Sequence, residues 1–172
     1  MSERISQSWF QSNDALFIAQ KLMGKTLVRD FGNGDIFRSV ITETEAYIGP
    51  EDLACHASKG KTARTSVMFE EGGLVYVYLI YGMYWMLNFV TGNQNEPQAV
   101  LIRGTQACSG PGKLGKLLEL DKSFYGENLE SSNRIWVEDS ESVGKIISTP
   151  RIGIDYAGEV WKNKPWRFVL EI

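Results

Sequence analysis

Two carboxylates, a phenol and an imidazole lie close together in the segment ITETEAYIGPEDLACH, which begins at Ile41. If its first part is a strand, alternation places Glu43, Glu45 and Tyr47 on one face. Ile41 should share that face. The only histidine of the protein, His56, follows a turn and a short acidic helix start. These groups could converge for general acid–base chemistry, although two carboxylates at this spacing also suit a solvated sheet edge.

The elements that would position these groups follow from hydrophobic periodicity and turn residues. Ser12 and Asn13 are suitable caps for a helix that Gly24 would end. Strands are predicted at residues 25–30, 37–47 and 99–103 and in the C-terminal RIGID and WRFVLEI, and a helix in GPGKLGKLLEL. This order predicts an α+β fold, in which a mixed or antiparallel sheet is flanked by helices.

The run LVYVYLIYGMYWMLNF contains four of the seven tyrosines. It is only as long as a short transmembrane helix and carries four phenols and an asparagine, so it is a poor bilayer sequence. Its residues favour strands, and a glycine interrupts it where a bend would fall. We therefore predict two strands hinged near Tyr81-Gly82-Met83.

Composition favours one globular domain, because 172 residues with 43% hydrophobic content can build a single core. The N-terminal residues show no secretory signal, which predicts a cytoplasmic protein without a membrane partner. Cys55 and Cys108 form no zinc-binding spacing with each other or with the histidine. We expect two reduced thiols and neither a metal nor another cofactor.

The net charge of −3 argues against a nucleic-acid partner, but the charges are unevenly distributed. Residues 53–69 and 97–118 contain no acid, whereas residues 119–142 hold seven acids against two basic residues. A mixed solvated surface would explain this pattern. A basic face that contacts phosphates becomes the alternative explanation if DNA is the partner.

Several motifs in order along the chain resemble one known family. They are ETEAYIGPEDLACH, MFEEGGLVYVYLIYGMYWMLNF, VLIRG, GPGKL, DKSF, RIGIDYAGE and KPWRF. Together they are similar to the alkyladenine DNA glycosylases, the 3-methyladenine DNA glycosylases of the human type. The resemblance runs from about residue 10 to the C-terminus.

The resemblance implies a monofunctional enzyme of base excision repair, with residues 1–172 as a single glycosylase domain. Such an enzyme flips a damaged purine out of duplex DNA and hydrolyses its N-glycosidic bond. Expected substrates are 3-methyladenine, 7-methylguanine, hypoxanthine and ethenoadenine. The protein should be a monomer that binds double-stranded DNA, associated with the nucleoid in a bacterium or located in the nucleus of a eukaryote.

The resemblance also implies roles for individual residues. Glu45 matches the general base, and Arg103 an arginine near that base and its water. The base-binding positions are Tyr47, His56, Tyr78 and Asn88. Tyr47 and His56 would sandwich the base, and Asn88 would crowd the 2-amino group of guanine. Tyr76 is expected to serve sheet packing alone, and Glu43 to be structural or to support the catalytic carboxylate from behind.

On the DNA-binding side, Tyr81 matches the side chain that fills the gap left by the flipped nucleotide. Met83 and Tyr84 would support it beside the minor groove. Phosphate contacts are expected from three basic residues, Lys59, Lys61 and Arg64.

Two alternatives from other classes remain open. A non-catalytic nucleic-acid-binding module would use the same aromatic and basic side chains but has no need for Glu45 beside a histidine. A glycoside hydrolase could use Glu43 and Glu45 as an acid–base pair. A bifunctional lyase is disfavoured, because the matched catalytic position is a carboxylate rather than an amine.

Overall fold

An antiparallel β-sheet organises the chain. The computed structural model describes residues 2–172, and its strands are β1 (Thr26–Asp30), β2 (Ile36–Ile48), β3 (Val75–Ile80), β4 (Tyr84–Val90), β5 (Gln98–Thr105), β6 (Cys108–Ser109), β7 (Ile135–Glu138), β8 (Lys145–Thr149) and β9 (Arg167–Glu171). The main order is β3-β4-β5-β2-β1-β7; β9 also pairs with β2 and carries β8, and β6 pairs with β5. The predicted α+β class is confirmed.

Short helices cover the sheet. They are α1 (Gln7–Gln11), α2 (Ala15–Lys21), α3 (Pro111–Leu117) and α4 (Gly158–Lys162), with 3-10 turns at His56–Lys59, Ser66–Phe69, Lys122–Phe124 and Asp155–Ala157. The main core contains residues of α2, α3 and the strands β1, β2, β4 and β5. Among the described residues, 2–172, no helix has the length and apolar character needed to cross a membrane.

The helix predicted near the N-terminus begins at a different cap. Asp14 is the N-cap of α2, and its carboxylate accepts a hydrogen bond from the Phe17 N–H at 2.9 Å. The prediction of Ser12 and Asn13 as caps is wrong, because Ser12 instead ends α1. Gly24 lies beyond the helix with a φ of +89°, a conformation that glycine adopts without strain.

Strand β2 passes through the middle of the sheet, and its alternation is interrupted. The pairing with β5 shifts register between Ile41 and Thr44, which breaks the period of two along the strand. Ile41 consequently lies in the main core with Ala46, whereas Glu43 contacts arginine side chains. The expectation that Ile41 shares the face of Glu43 and Glu45 is wrong for this reason.

The tyrosine-rich run forms the predicted hairpin. Strands β3 and β4 pair from Val75 with Phe89 to Ile80 with Tyr84. Tyr81, Gly82 and Met83 connect the two strands; Tyr81 and Gly82 have φ values of +51° and +63°, and the Met83 N–H donates to the Ile80 carbonyl at 3.1 Å. Two residues with positive φ match the right-handed twist of the flanking strands, which is why glycine is favoured there. A tyrosine in this conformation is strained.

The C-terminal part is only partly as expected. WRFVLEI contains β9, as predicted, but RIGID contains no strand, because residues 151–154 are irregular and lead into the 3-10 turn Asp155–Ala157. The side chain of Arg151 is fully buried in an ion pair with Asp52 rather than alternating across a sheet. Strands β7 and β8 were not predicted, because neither segment has a clear alternating pattern.

Candidate active site

Glu45 lies in the C-terminal part of β2, and its side chain is fully shielded from solvent. Its two oxygens accept different hydrogen bonds: the Tyr47 hydroxyl donates to Oε1 at 2.7 Å, and the Ile152 N–H donates to Oε2 at 2.8 Å. A carboxylate can accept about four hydrogen bonds, so both oxygens retain lone pairs for a further donor such as water. The group is therefore oriented but not saturated.

Two arginines and a second carboxylate lie next to this group. Arg103 on β5 places Nη1 3.7 Å from Glu45 Oε1, while its Nε donates to Glu43 Oε2 at 3.0 Å. Arg167 on β9 donates to the same Glu43 oxygen at 2.6 Å. Glu43 thus compensates the two arginines and fixes the direction of Arg103. Its side-chain hydrogen bonds are with these two arginines.

Burial dominates the electrostatics of the site. It raises the pKa of Glu45, and the charge of Arg103 and the hydrogen bonds from Tyr47 and Ile152 oppose that rise. Burial and the neighbouring Glu45 carboxylate raise the pKa of Tyr47 well above its usual value, so the phenol stays protonated and donates. A carboxylate with a raised pKa is a stronger base than one in water.

A cavity of about 330 Å³, which includes space open to solvent, adjoins Tyr47, the residue whose hydroxyl donates to Glu45; Glu45 itself does not line it. It is lined by Tyr47, Ala54, Cys55, His56, Met68, Tyr76, Tyr78, Asn88, Ala99 and Tyr156. All four predicted base-pocket residues are therefore brought together. Tyr76, for which we expected sheet packing alone, also lines the cavity, which corrects that expectation. The walls are mostly aromatic, and stacking against a flat heterocycle is what such walls favour.

His56 is fixed at the cavity wall by a tyrosine pair. Its Nδ1 lies 2.9 Å from the Tyr76 hydroxyl, and its ring is edge-on to Tyr78 with 4.6 Å between centroids. Burial, helped by the positive charges of Arg64 and Lys59, lowers the pKa of His56 to about 4. The imidazole is therefore neutral near neutral pH, so it adds no positive charge to the cavity.

Asn88 on β4 is buried at the back of the cavity. Its Nδ2 donates to the carbonyl oxygens of Tyr76 and Met86 at 3.2 and 3.4 Å. Both bonds use the amide nitrogen, so the side chain is held in one orientation, and its oxygen keeps its acceptor capacity.

The tip of the hairpin is the most exposed part of this region. Tyr81 is 85% exposed and lines an open groove that also contains Arg103, Ile152 and Tyr156. Met83 is half exposed beside it. Tyr84 points differently: its ring packs on Gly112, and the ammonium group of Lys116 lies 5.0 Å from the ring centroid.

Three predicted phosphate contacts flank the cavity on its outer side. Lys59, Lys61 and Arg64 are all exposed. The guanidinium of Arg64 lies 5.2 Å from the ring centroid of Tyr78, and Lys61 Nζ lies 5.9 Å from that of Phe69. Of the three, Arg64 therefore lies against an aromatic residue of the cavity wall.

Two residues of the site were missed. Ile152 contributes a main-chain N–H, which no side-chain pattern can reveal. Tyr156 is 69% exposed at the mouth of the cavity, and its hydroxyl donates to the Ala54 carbonyl at 3.1 Å. Tyr156 directly follows the segment RIGID, and the strand predicted for that segment would not have placed the Tyr156 side chain at the cavity.

Neither cysteine is bonded to another, and Cys55 is buried at the cavity wall, where burial raises its thiol pKa to about 12. Within residues 2–172, no three side chains of His, Cys, Asp or Glu are grouped so as to hold a metal ion. The candidate reactive groups are thus Tyr47 and His56 in the cavity wall and Glu45, which accepts a hydrogen bond from Tyr47. This arrangement can activate a water beside a flat, stacked ring.

The sequence matches the model of one protein family over nearly its whole length. The methylpurine-DNA glycosylase model covers residues 8–108 and 104–172. The chain therefore belongs to the methylpurine-DNA glycosylase family. It is a DNA glycosylase, a hydrolase of N-glycosyl bonds that acts on DNA in DNA repair.

Curated relatives agree with this assignment. A protein of Methanocella arvoryzae is 44% identical, over 92% of this chain and 88% of its own length. Relatives from Psychrobacter cryohalolentis and Natranaerobius thermophilus are 38% and 40% identical, each over at least 95% of both chains. All three bear the name "Putative 3-methyladenine DNA glycosylase".

Proposed function

We propose that this protein excises damaged purines, among them 3-methyladenine, 7-methylguanine, hypoxanthine and ethenoadenine, by hydrolysing their N-glycosidic bonds with Glu45 as general base. The observation that carries the proposal is the solvent-shielded Glu45 carboxylate beside an aromatic cavity, with one hydrogen bond on each oxygen. A binding module would have no use for a carboxylate kept at the cost of burying a charge. The names of the curated relatives support the same class of substrate.

In this mechanism Glu45 takes one proton from a water molecule as its oxygen bonds to C1′ of the deoxyribose. The bond between C1′ and the base nitrogen breaks, and its electron pair leaves with the base. A 3-methyladenine or 7-methylguanine nucleotide already carries a positive charge on its base, so that base departs neutral. Hypoxanthine and ethenoadenine are uncharged in DNA and take up a proton from water as they leave. The Glu45 carboxylate also stabilises the positive charge that develops on the sugar. Arg103, whose Nε donates to Glu43, places its positive charge next to the negative charge of Glu45.

The cavity would receive the flipped base. Tyr47 and His56 stack on it, and Tyr78 lines the same wall. A cation above an aromatic face is stabilised by about 0.5–2 kcal/mol, which favours alkylated over normal purines. Because the pKa of His56 is about 4, the neutral imidazole does not repel a cationic base. Asn88 crowds the position where guanine carries its 2-amino group.

The exposed hairpin tip would enter the duplex. Base flipping costs a few kcal/mol of lost stacking and pairing, and a rigid aromatic ring in the gap recovers part of it. Tyr81 suits this role because it is 85% exposed and its backbone is fixed in the turn. Met83 lies beside it toward the minor groove, and Tyr84 of β4 supports the hairpin by packing on Gly112 of α3. Lys59, Lys61 and Arg64 contact phosphates, and the protein acts as a monomer.

The experiment is excision from matched duplexes that each carry one lesion, with abasic sites detected after single turnover. We expect abasic sites with the alkylated and deaminated purines and none with the undamaged duplex. Tight lesion binding without base release would identify a binding module instead. Release of sugars from oligosaccharides would identify a glycoside hydrolase.

A further inference from the structure

A fully buried ion pair lies behind the candidate active site. Arg151 and Asp52 are both fully buried, and they form a two-fold contact: Nη1 to Oδ2 at 2.6 Å and Nη2 to Oδ1 at 3.0 Å. Neither residue lines the cavity. A buried ion pair is weak evidence for stability, because apolar residues of similar volume often serve as well. Its presence therefore needs another reason.

The pair joins separate segments of the chain. The Asp52 carboxylate accepts the N–H groups of Ile48, at the end of β2, and of Ala54, in the loop that leads to His56. Arg151 donates to the Ala46 carbonyl on β2 at 3.0 Å. The ion pair thus fastens residues 151–154 and the loop before His56 to the catalytic strand.

Arg151 also contacts the site itself. Its guanidinium lies 4.8 Å from the ring centroid of Tyr47, on whose hydroxyl Glu45 depends, and 4.9 Å from that of Trp166. The next residue, Ile152, supplies the N–H that donates to Glu45 Oε2. Both hydrogen bonds to Glu45 therefore come from groups that Arg151 holds in place.

We propose that the Arg151–Asp52 ion pair is a positioning element, which holds Tyr47 and the Ile152 N–H against Glu45 and balances the charge behind it. This inference rests on the proposed role of Glu45 as general base. Arg151 and Asp52 touch neither the substrate nor the water; they act through their neighbours.

A positioning pair also affects the protonation of Glu45 through its charges, and this effect distinguishes it from a merely structural pair. The titratable and charged groups around Glu45 are Arg103, Tyr47, Arg151, Tyr78 and Tyr156, with Glu43 and Arg167 behind Arg103 and Asp52 behind Arg151. Removing Arg151 alone leaves Asp52 as an uncompensated negative charge, which makes Glu45 easier to protonate. Neutralising Asp52 alone leaves Arg151 uncompensated, which makes Glu45 harder to protonate.

The test is the pH dependence of single-turnover excision from a duplex that contains 7-methylguanine. The fixed positive charge of this base means that its departure needs no proton, so the acidic limb reports protein groups. We expect Arg151→Met to move this limb to higher pH and Asp52→Asn to move it to lower pH, each by roughly one unit. Both should slow excision at the plateau, up to about 10²-fold, because the hydrogen bonds to Glu45 loosen.

A matched control uses the Arg38–Glu138 pair, in which two-fold contacts join β2 and β7 far from the cavity. Arg38→Met and Glu138→Gln should leave the acidic limb and the plateau rate unchanged. Opposite shifts for the first pair and none for the second support the inference. Shifts of Arg151→Met and Asp52→Asn in the same direction, or no shifts, overturn it.

Two further variants distinguish failure of this inference from failure of the proposed function. Arg151→Lys preserves the charge but loses the planar two-fold contact, so it should retain the parent's acidic limb with at least a tenfold slower plateau. If Arg151→Met does not fold, a parental rate for Arg151→Lys overturns the inference. Glu45→Gln is measured in parallel: if it excises at the parental rate, the proposed function fails instead, whatever the ion pair does.

Discussion

The carboxylate of Glu45 and the ring of Tyr81 belong to the same sheet but lie in opposite environments, one buried and the other exposed. Glu45 lies on the central strand β2, fully buried, with a hydrogen bond on each oxygen. Tyr81 lies at the tip of the β3–β4 hairpin and is 85% exposed. The two are connected, because Tyr76 and Tyr78 run along β3 from the cavity to the tip.

The difference follows from what each region must do. A general base works best where packing fixes its position and water is excluded, since fixed dipoles need no reorganisation during the reaction. A side chain that enters a duplex must instead extend beyond the protein surface. Its rigidity then has to come from the backbone, and the hairpin turn provides it, closed by the hydrogen bond from the Met83 N–H to the Ile80 carbonyl at 3.1 Å. The predictions below test this division.

The largest effect is expected at Glu45. Glu45→Gln keeps the shape and the acceptor for Ile152 but can neither take the water's proton nor oppose the cationic sugar. We expect single-turnover excision to fall by about 10²–10⁴-fold from loss of the base alone. Binding to a duplex with ethenoadenine or hypoxanthine should remain close to the parent's, because stacking depends on Tyr81, Tyr47 and His56.

Glu43→Gln is the matched control for this prediction. A glutamine oxygen can still accept from Arg103 and Arg167, so most excision should remain. If Glu43→Gln abolishes excision while Glu45→Gln leaves it near the parental rate, the base has been assigned to the wrong carboxylate.

Burial also predicts how stability depends on pH. The pKa of His56 is about 4 in the folded protein against 6.5 ordinarily, so the unfolded chain binds a proton between these values and the folded protein does not. Above pH 6.5 this difference contributes nothing, and stability is lost as the pH falls from 6.5 towards 4. The loss from His56 should reach roughly 2–3 kcal/mol in the free energy of unfolding.

Urea unfolding near pH 7 and near pH 4 checks this prediction, with His56→Gln as the comparison because glutamine does not titrate. The carboxylates contribute equally to both proteins, so the parent should lose more stability than the variant over this interval. An equal loss in both proteins would show that His56 is not protected from protonation in the folded state.

A smaller effect on binding is expected at the hairpin tip. Tyr81→Ser removes the ring that would fill the stack, and the loss should weaken lesion-duplex binding by about 1–3 kcal/mol, the range for one aromatic–base contact. Excision should slow in proportion. The melting temperature should stay near the parent's, because an exposed turn side chain contributes little to a core.

Phe17→Ser, at another partly exposed aromatic on α2, serves as its control and should leave lesion binding unchanged. Tyr81→Gly relieves the backbone strain but also removes the ring, so it should bind as weakly as Tyr81→Ser while being no less stable. If both Tyr81 variants bind the lesion duplex as tightly as the parent, the ring of Tyr81 does not fill the gap left by the flipped nucleotide.

The two regions also differ in how far the sequence could predict them. The hairpin and its turn are local, since a glycine follows the turn tyrosine and strand-forming residues flank both, and their bounds were predicted closely. The pairing of Glu45 with Tyr47 was likewise local, because both register shifts in β2 fall before Thr44 and leave the alternation of Glu45 and Tyr47 intact.

Contacts distant in sequence could not be predicted in the same way. The Ile152 N–H reaches Glu45 from 107 residues away, and Arg151 reaches Asp52 from 99 residues away. RIGID alternates like a strand, but burial of Arg151 against Asp52 overrides that pattern. The Asp14 cap was missed because three consecutive residues, Ser12 to Asp14, are all good caps and only the structure selects one.

The smallest expected effect is that of chelation. Activation of water by a carboxylate is an alternative to activation by a metal, and the two differ in their response to EDTA. Within the described residues, 2–172, no three potential ligand side chains are grouped for an ion, and Glu45 is already bonded to Tyr47 and Ile152. We therefore expect excision rates in EDTA to equal those in its absence, measured on the same duplex under single turnover. A rate that falls in EDTA and recovers with zinc or magnesium would mean that an ion, rather than the buried carboxylate alone, activates the water.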